Sequence, residues 1–189
     1  MTGLARLGVI SGACLAAYPL LVYFSIGRVE PAVLAALVAV VAVFRLSVTR
    51  TGPAGVMAVV ALLVAACTWQ GMGWAPVKFY AVGVNLILFL WFASSLVFPP
   101  TMVEKFARLR EPQLPLEAVR YTRRVTEVWT GFFVLNGAAA LASTLWASDE
   151  VWMFYNGFVA YVLMLLLAVG EWLVRQRVRR RIAARHREA

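Results

Sequence analysis

Histidine occurs once in this chain, at position 186, and cysteine twice, at positions 14 and 67. A single imidazole near the end of the sequence leaves a histidine-based acyltransferase, a Ser-His-Asp triad or a zinc site without its materials. The cysteines lie in separate apolar runs with no CxxC spacing, so they read as small buried hydrophobes and not as a disulfide framework or a metal-ligand set. A GxSxG elbow and a P-loop are also missing, and no cofactor is implied. Charge is scarce as well: 14% of the residues are charged against 62% hydrophobic, where soluble domains carry about a quarter and about a half. A chain of 189 residues cannot bury that much apolar surface in a water-soluble core. Its solvent is expected to be lipid.

The apolar residues fall into runs of the length a helix needs to cross hydrocarbon, about twenty residues. Six such spans are predicted, at about 7–26, 32–48, 54–70, 77–98, 125–147 and 151–174. Ser11-Gly12-Ala13-Cys14 has some likeness to a lipoprotein cleavage box, but the apolar run continues past Cys14 to Ile26, so the first run is expected to be retained as a span. Gly27 to Pro31 forms a polar turn, Gly52-Pro53 a second, Gly71-Met72-Gly73 a third and Ser148-Asp149-Glu150 a fourth, with Pro99-Pro100 stopping the fourth span. The expected fold is all-α: a polytopic membrane protein of six transmembrane helices arranged as three hairpins, forming one integral membrane domain over residues 1–189. Spans four and six open alike, Trp74-Ala75 then Phe79-Tyr80 and Trp146-Ala147 then Phe154-Tyr155, as a duplicated hairpin or an aromatic belt would.

One long polar interval, residues 99–124, separates the fourth and fifth spans. Thr101 and Glu104 have capping-box spacing for a short helix, in which Met102, Phe106 and Leu109 share one face and Lys105, Arg108 and Arg110 the other, the pattern of a helix lying in the membrane interface. A second helix is expected to start near Leu116 and run unbroken into the fifth span. The basic residues settle the expected orientation. Placing Arg6, Arg45, Arg50, the loop and the tail (175–189) on one side gathers sixteen of the eighteen Lys and Arg there; only Arg28 and Lys78 face the other side. Positive residues are retained in the cytoplasm, so both termini and the loop are expected on the cytoplasmic side of a bacterial inner membrane. The same placement explains a net charge of +9 by anionic headgroups, and excludes nucleic acid as a partner.

No ionisable residue falls at mid-depth of a predicted span, so a charged relay across the bilayer finds no support. Arg45 lies near a span end, within snorkelling reach of the headgroups. Asn85, Asn136 and Asn156 are uncharged polar residues inside spans. They admit two readings: hydrogen bonds that hold helices together, or the polar wall of a groove for a lipid or polyene. The loop residues Lys105, Arg108, Arg110, Arg120, Arg123 and Arg124 also admit two, a topogenic face against anionic lipid or a docking face for an acidic soluble partner such as an acyl carrier protein. Arg28, Glu30, Lys78, Asp149 and Glu150 can form surface ion pairs between the external turns.

Three stretches, AYPLLVYFSIGRVEP, RLREPQLPLEAVRYTRRVTEVWTGFFVLNGAAA and EVWMFYNGFVAYVLMLLLAVGEWLVR, resemble the small membrane proteins encoded with bacterial aryl polyene and xanthomonadin pigment genes. Some of these carry the name ketosynthase, a chemistry that needs a cysteine nucleophile with histidine partners in a soluble fold. Tyr18-Pro19, Tyr23-Phe24, Trp129, Phe132-Phe133, Asn136 and Val151-Trp152 are also similar to the intracellular septation protein A inner-membrane family. The first resemblance implies a non-catalytic accessory protein of pigment-lipid synthesis that holds lipid-like intermediates or recruits soluble enzymes. The alternatives are a small lipid or polyene transporter or flippase, which a homo-oligomer would widen, and a septation-related envelope protein.

Overall fold

The computed structural model describes residues 24–25, 28–49, 52–109 and 111–188. The expected first span lies outside them apart from its residues 24 and 25, as do Cys14, Arg50 and Arg110. Within the described residues the chain is helical, with no strand. The elements are α1 (Pro31–Thr49), α2 (Gly52–Cys67) continuing into a π-helical turn (Thr68–Met72), α3 (Ala75–Val97), α4 (Met102–Arg108), α5 (Leu116–Trp146), α6 (Asp149–Phe154), a second π-helical turn (Tyr155–Val159), and α7 (Ala160–Glu188). Among the described residues five segments are long and apolar enough to cross a membrane: Pro31–Val48, Gly55–Met72, Ala75–Val97, Leu116–Trp146 and Asp149–Arg177.

Local chemistry accounts for most boundaries. Gly71 and Gly73 take positive φ, 84° and 62°, a region that side-chain-bearing residues rarely enter, and they break the chain between the π-helical turn and α3. Ser148 caps α6: its hydroxyl accepts the Val151 N–H at 3.4 Å, and Asp149 and Glu150 place negative charge in the first turn. Helix α5 runs unbroken from Leu116, as its uninterrupted pattern predicts. The basic tail continues the last helix as far as Glu188. Arg, Ala and Gln are good helix formers, and a helix already nucleated in the preceding span extends without a new nucleation cost.

The described residues group into two compact units. The first comprises those up to Ile87 together with Leu135–Val159; the second comprises Leu88–Val134 and those from Ala160 onward. In the first unit α1 and α2 pack as a hairpin whose buried stripe is Leu34, Ala35, Val38, Ala39, Ala42, Ala58 and Ala61. Bulky Val33, Leu37, Val40, Leu62 and Leu63 face outward. Lipid tails are as apolar as leucine, so the helices gain from close van der Waals approach, and small residues permit it. Val77, Tyr80 and Trp152 complete this core. The buried Trp152 indole donates to Thr144 Oγ1 at 3.0 Å.

In the second unit an aromatic cluster joins α3 and α5: Phe92 meets Phe133 edge-on with centroids 5.1 Å apart, and Trp129 lies 5.7 Å from Phe133. Helix α4 is docked by its first turn, whose N–H groups have no partner within the helix. Met102 N–H donates to Ser95 Oγ at 3.0 Å, and Val103 N–H donates to Thr126 Oγ1 at 3.4 Å. The Glu104 half of the expected capping box is present, with the Thr101 N–H donating to Glu104 Oε2 at 3.4 Å. Helix α4 does not turn its apolar face inward: Glu104 and Ala107 are buried, whereas Phe106 and Leu109 are 59% and 81% exposed.

Candidate functional site

The three asparagines lie in the first unit, each with protein partners. Asn136 on α5 donates to Asn85 Oδ1 on α3 at 2.9 Å and accepts the Tyr155 hydroxyl at 3.0 Å. The Asn85 amide donates to the Ala81 carbonyl at 2.9 Å. Asn156 donates to Ser143 Oγ at 3.0 Å and to the Trp152 carbonyl at 2.9 Å. The π-helical turn sends consecutive residues, Tyr155 and Asn156, to positions two turns apart on α5, consistent with the use of such turns to re-aim side chains. Gly137 is what lets α3 and α5 close here: a Cβ at 137 would stand 3.1 Å from Asn85 Cβ. Single-letter reading of an Ala-rich run gave no reason to single out that glycine.

The basic loop residues divide in the second unit. Arg108 is committed to Glu104, with Nε at 2.8 Å and Nη2 at 2.7 Å from the same carboxylate oxygen, and its other branch donates to the Pro112 carbonyl at 3.0 Å. Arg123 donates to the Leu96 carbonyl at 3.2 Å, a cation on the last turn of α3, and pairs with Glu127 at 3.3 Å. Lys105, Arg120 and Arg124 are exposed; the ion pairs of the described residues do not include them. Arg110 lies outside the described residues. In the first unit, Lys78 forms one of the external-turn pairs read from the sequence, with Asp149. Arg45 has its Nε buried.

A groove of about 400 Å³ opens among α4, α5 and α7, within the roughly 300–1,000 Å³ of small-molecule sites. Val103, Phe106, Ala107 and Leu109 form one wall, Val125 and Trp129 a second, and Glu171 with Arg175 the third. Tyr121 on α5 ties the third wall in place, its hydroxyl lying 3.1 Å from the Glu171 carbonyl and 3.4 Å from Glu171 Oε1. In the sequence Glu171 is a carboxylate near the end of the last apolar run. The one available signal was its spacing from Arg175, two opposite charges one helical turn apart on an otherwise apolar helix. No group of three or more metal-ligating side chains occurs among the described residues.

The described residues are all helical, and among them five helices have the length and apolarity to span a membrane, the make-up of a membrane protein. Compared with family models, curated proteins and solved structures, the chain matches none.

Proposed function

We propose that the chain is a six-span protein of a bacterial inner membrane, with both termini and the 99–124 loop in the cytoplasm. Its role is that of a non-catalytic accessory to the synthesis of aryl polyene or a related envelope lipid. It holds lipid-like intermediates at the cytoplasmic headgroup level and presents a basic face to the soluble enzymes that extend them. The sixteen-to-two division of Lys and Arg supports the orientation. The groove carries the reading: its walls combine exposed apolar side chains with two charges, as a site for an amphiphile requires. Lys105, Arg120 and Arg124 supply the basic face; Arg108 and Arg123 serve mainly to hold α4 and the end of α3. Transport would draw on a polar lining at Asn85, Asn136 and Asn156. Their amides are taken up by protein partners, which favours holding over translocation.

The reading is tested by deleting the gene in its own host and measuring polyene lipid in inner and outer membranes separately. Loss from both is the expected result. Accumulation in the inner membrane would establish transport instead, and normal pigment with misdivided cells would establish the septation-like role.

A further inference from the structure

We infer that the groove among α4, α5 and α7 takes one phospholipid with a primary-amine headgroup, phosphatidylethanolamine, and selects it through Glu171 and Arg175. The inference rests on the reading above, which sets the groove at headgroup depth.

Glu171 and Arg175 are about one helical turn apart on α7, four residues or about 6 Å along the axis, and both line the groove. Side chains at that spacing commonly pair, yet the ion pairs among the described residues are Lys78 with Asp149, Arg108 with Glu104 and Arg123 with Glu127. The Tyr121 hydroxyl, donated toward the Glu171 carbonyl and carboxylate, holds the acid on the groove wall. The groove therefore offers an anion and a cation side by side. An ethanolamine phosphate carries the complementary set, an ammonium with three N–H donors for Glu171 and a phosphate that a guanidinium engages through two parallel hydrogen bonds.

The same two residues exclude the other common headgroups. Choline has no N–H to give Glu171. Phosphatidylglycerol brings a negative charge with no cation, so Glu171 repels what Arg175 attracts. An acidic protein segment meets the same repulsion, which sets this groove apart from the basic face at Lys105, Arg120 and Arg124. The apolar part of the ligand is also provided for. Phe106 and Leu109 are exposed at the groove edge, where an acyl chain covers them, and Trp129 stands where interfacial tryptophans belong. A volume of about 400 Å³ accommodates the headgroup and the start of one chain, with the remainder left in the bilayer.

The test uses the full chain in nanodiscs containing equal parts of phosphatidylethanolamine, phosphatidylglycerol and phosphatidylcholine, with retained lipids counted by native mass spectrometry after release. One phosphatidylethanolamine is expected per chain, about tenfold over either competitor, as the loss of one charge-assisted hydrogen bond predicts. Glu171→Gln and Arg175→Gln should each remove that preference, and Arg124→Gln should keep it. Equal retention of the three lipids, preference for phosphatidylglycerol, or preference unchanged in both groove variants would overturn the inference. Should a groove variant fail to fold, the unaltered protein still decides: retention must fall stepwise through N-methyl and N,N-dimethyl headgroups, and a flat series sinks the proposal. Placement is read separately. In a Cys14→Ser, Cys67→Ser background, Arg120→Cys should react with an impermeant maleimide only in opened cells; reaction in intact cells would overturn the orientation while leaving the headgroup selectivity to stand on its own data.

Discussion

Asn136 and Glu171 are both polar groups on helices of spanning length, and their surroundings differ in kind. Around Asn136 the demands of each polar atom are met by another side chain: Asn85 accepts its amide, Tyr155 donates to its oxygen, and Gly137 brings the helices near enough for both contacts. Around Glu171 the protein supplies one hydroxyl and places Arg175 a turn away, outside the ion pairs found among the described residues. A saturated polar cluster holds helices. A charged pair kept apart over a groove is matched to something from outside.

Substitutions that break the saturated cluster should cost stability, in a definite order. Gly137→Leu is expected to be the most damaging, lowering unfolding free energy in detergent by about 3 kcal/mol, because the added atoms meet Asn85 head-on; Gly137→Ala, whose single carbon needs a shift of a few tenths of an ångström, should cost less. Asn136→Leu removes two interhelical hydrogen bonds and should cost about 1–3 kcal/mol. An Asn136→Leu protein that melts normally but loses polyene retention would turn the cluster from a fastening into a ligand site. Next comes Arg108→Gln, expected to cost about 1.5 kcal/mol by leaving the buried Glu104 carboxylate without its cation. Arg124→Gln should change the melting curve by less than about 0.5 kcal/mol and show its effect only in binding of acidic partners to vesicle-reconstituted protein. If Arg124 proved as destabilising as Arg108, the division of the loop arginines into holding and displayed residues would fail.

The helices themselves were legible because each apolar run is long and punctuated by glycine, proline or charge. Which face of a helix turns inward was not. In α1 the buried residues, Leu34, Ala35 and Val38, and the outward ones, Val33, Leu37 and Val40, are equally apolar; a lipid-facing surface erases the contrast that marks a soluble helix. Side-chain size does not separate them either, since Leu34 and Val38 are buried while Leu37 and Val40 are not. Helix α4 shows the same limit from the other direction. Its amphipathic pattern suggested a helix lying in the membrane interface and did not single out the residue it turns toward the protein, Glu104, which is buried because Arg108 and the Thr101 N–H satisfy it, a set of pairings that spacing alone hints at. The asparagines stood out as polar residues in apolar runs, but their partners come from distant points in the chain. Glu171 and Arg175 became a site only once Tyr121 and the wall of α4 were in place beside them.

Helix α7 carries a mechanical consequence. Between Glu171 and Glu188 the sequence has neither glycine nor proline, and the helix is continuous. At about 1.5 Å per residue, that stretch is a rod of roughly 25 Å with no hinge, one end bearing a wall of the groove and the other a run of arginines. Any body that grips the arginine end holds a lever. Because the helix is continuous, Glu171 and Arg175 are carried with the tail in any rotation about its axis.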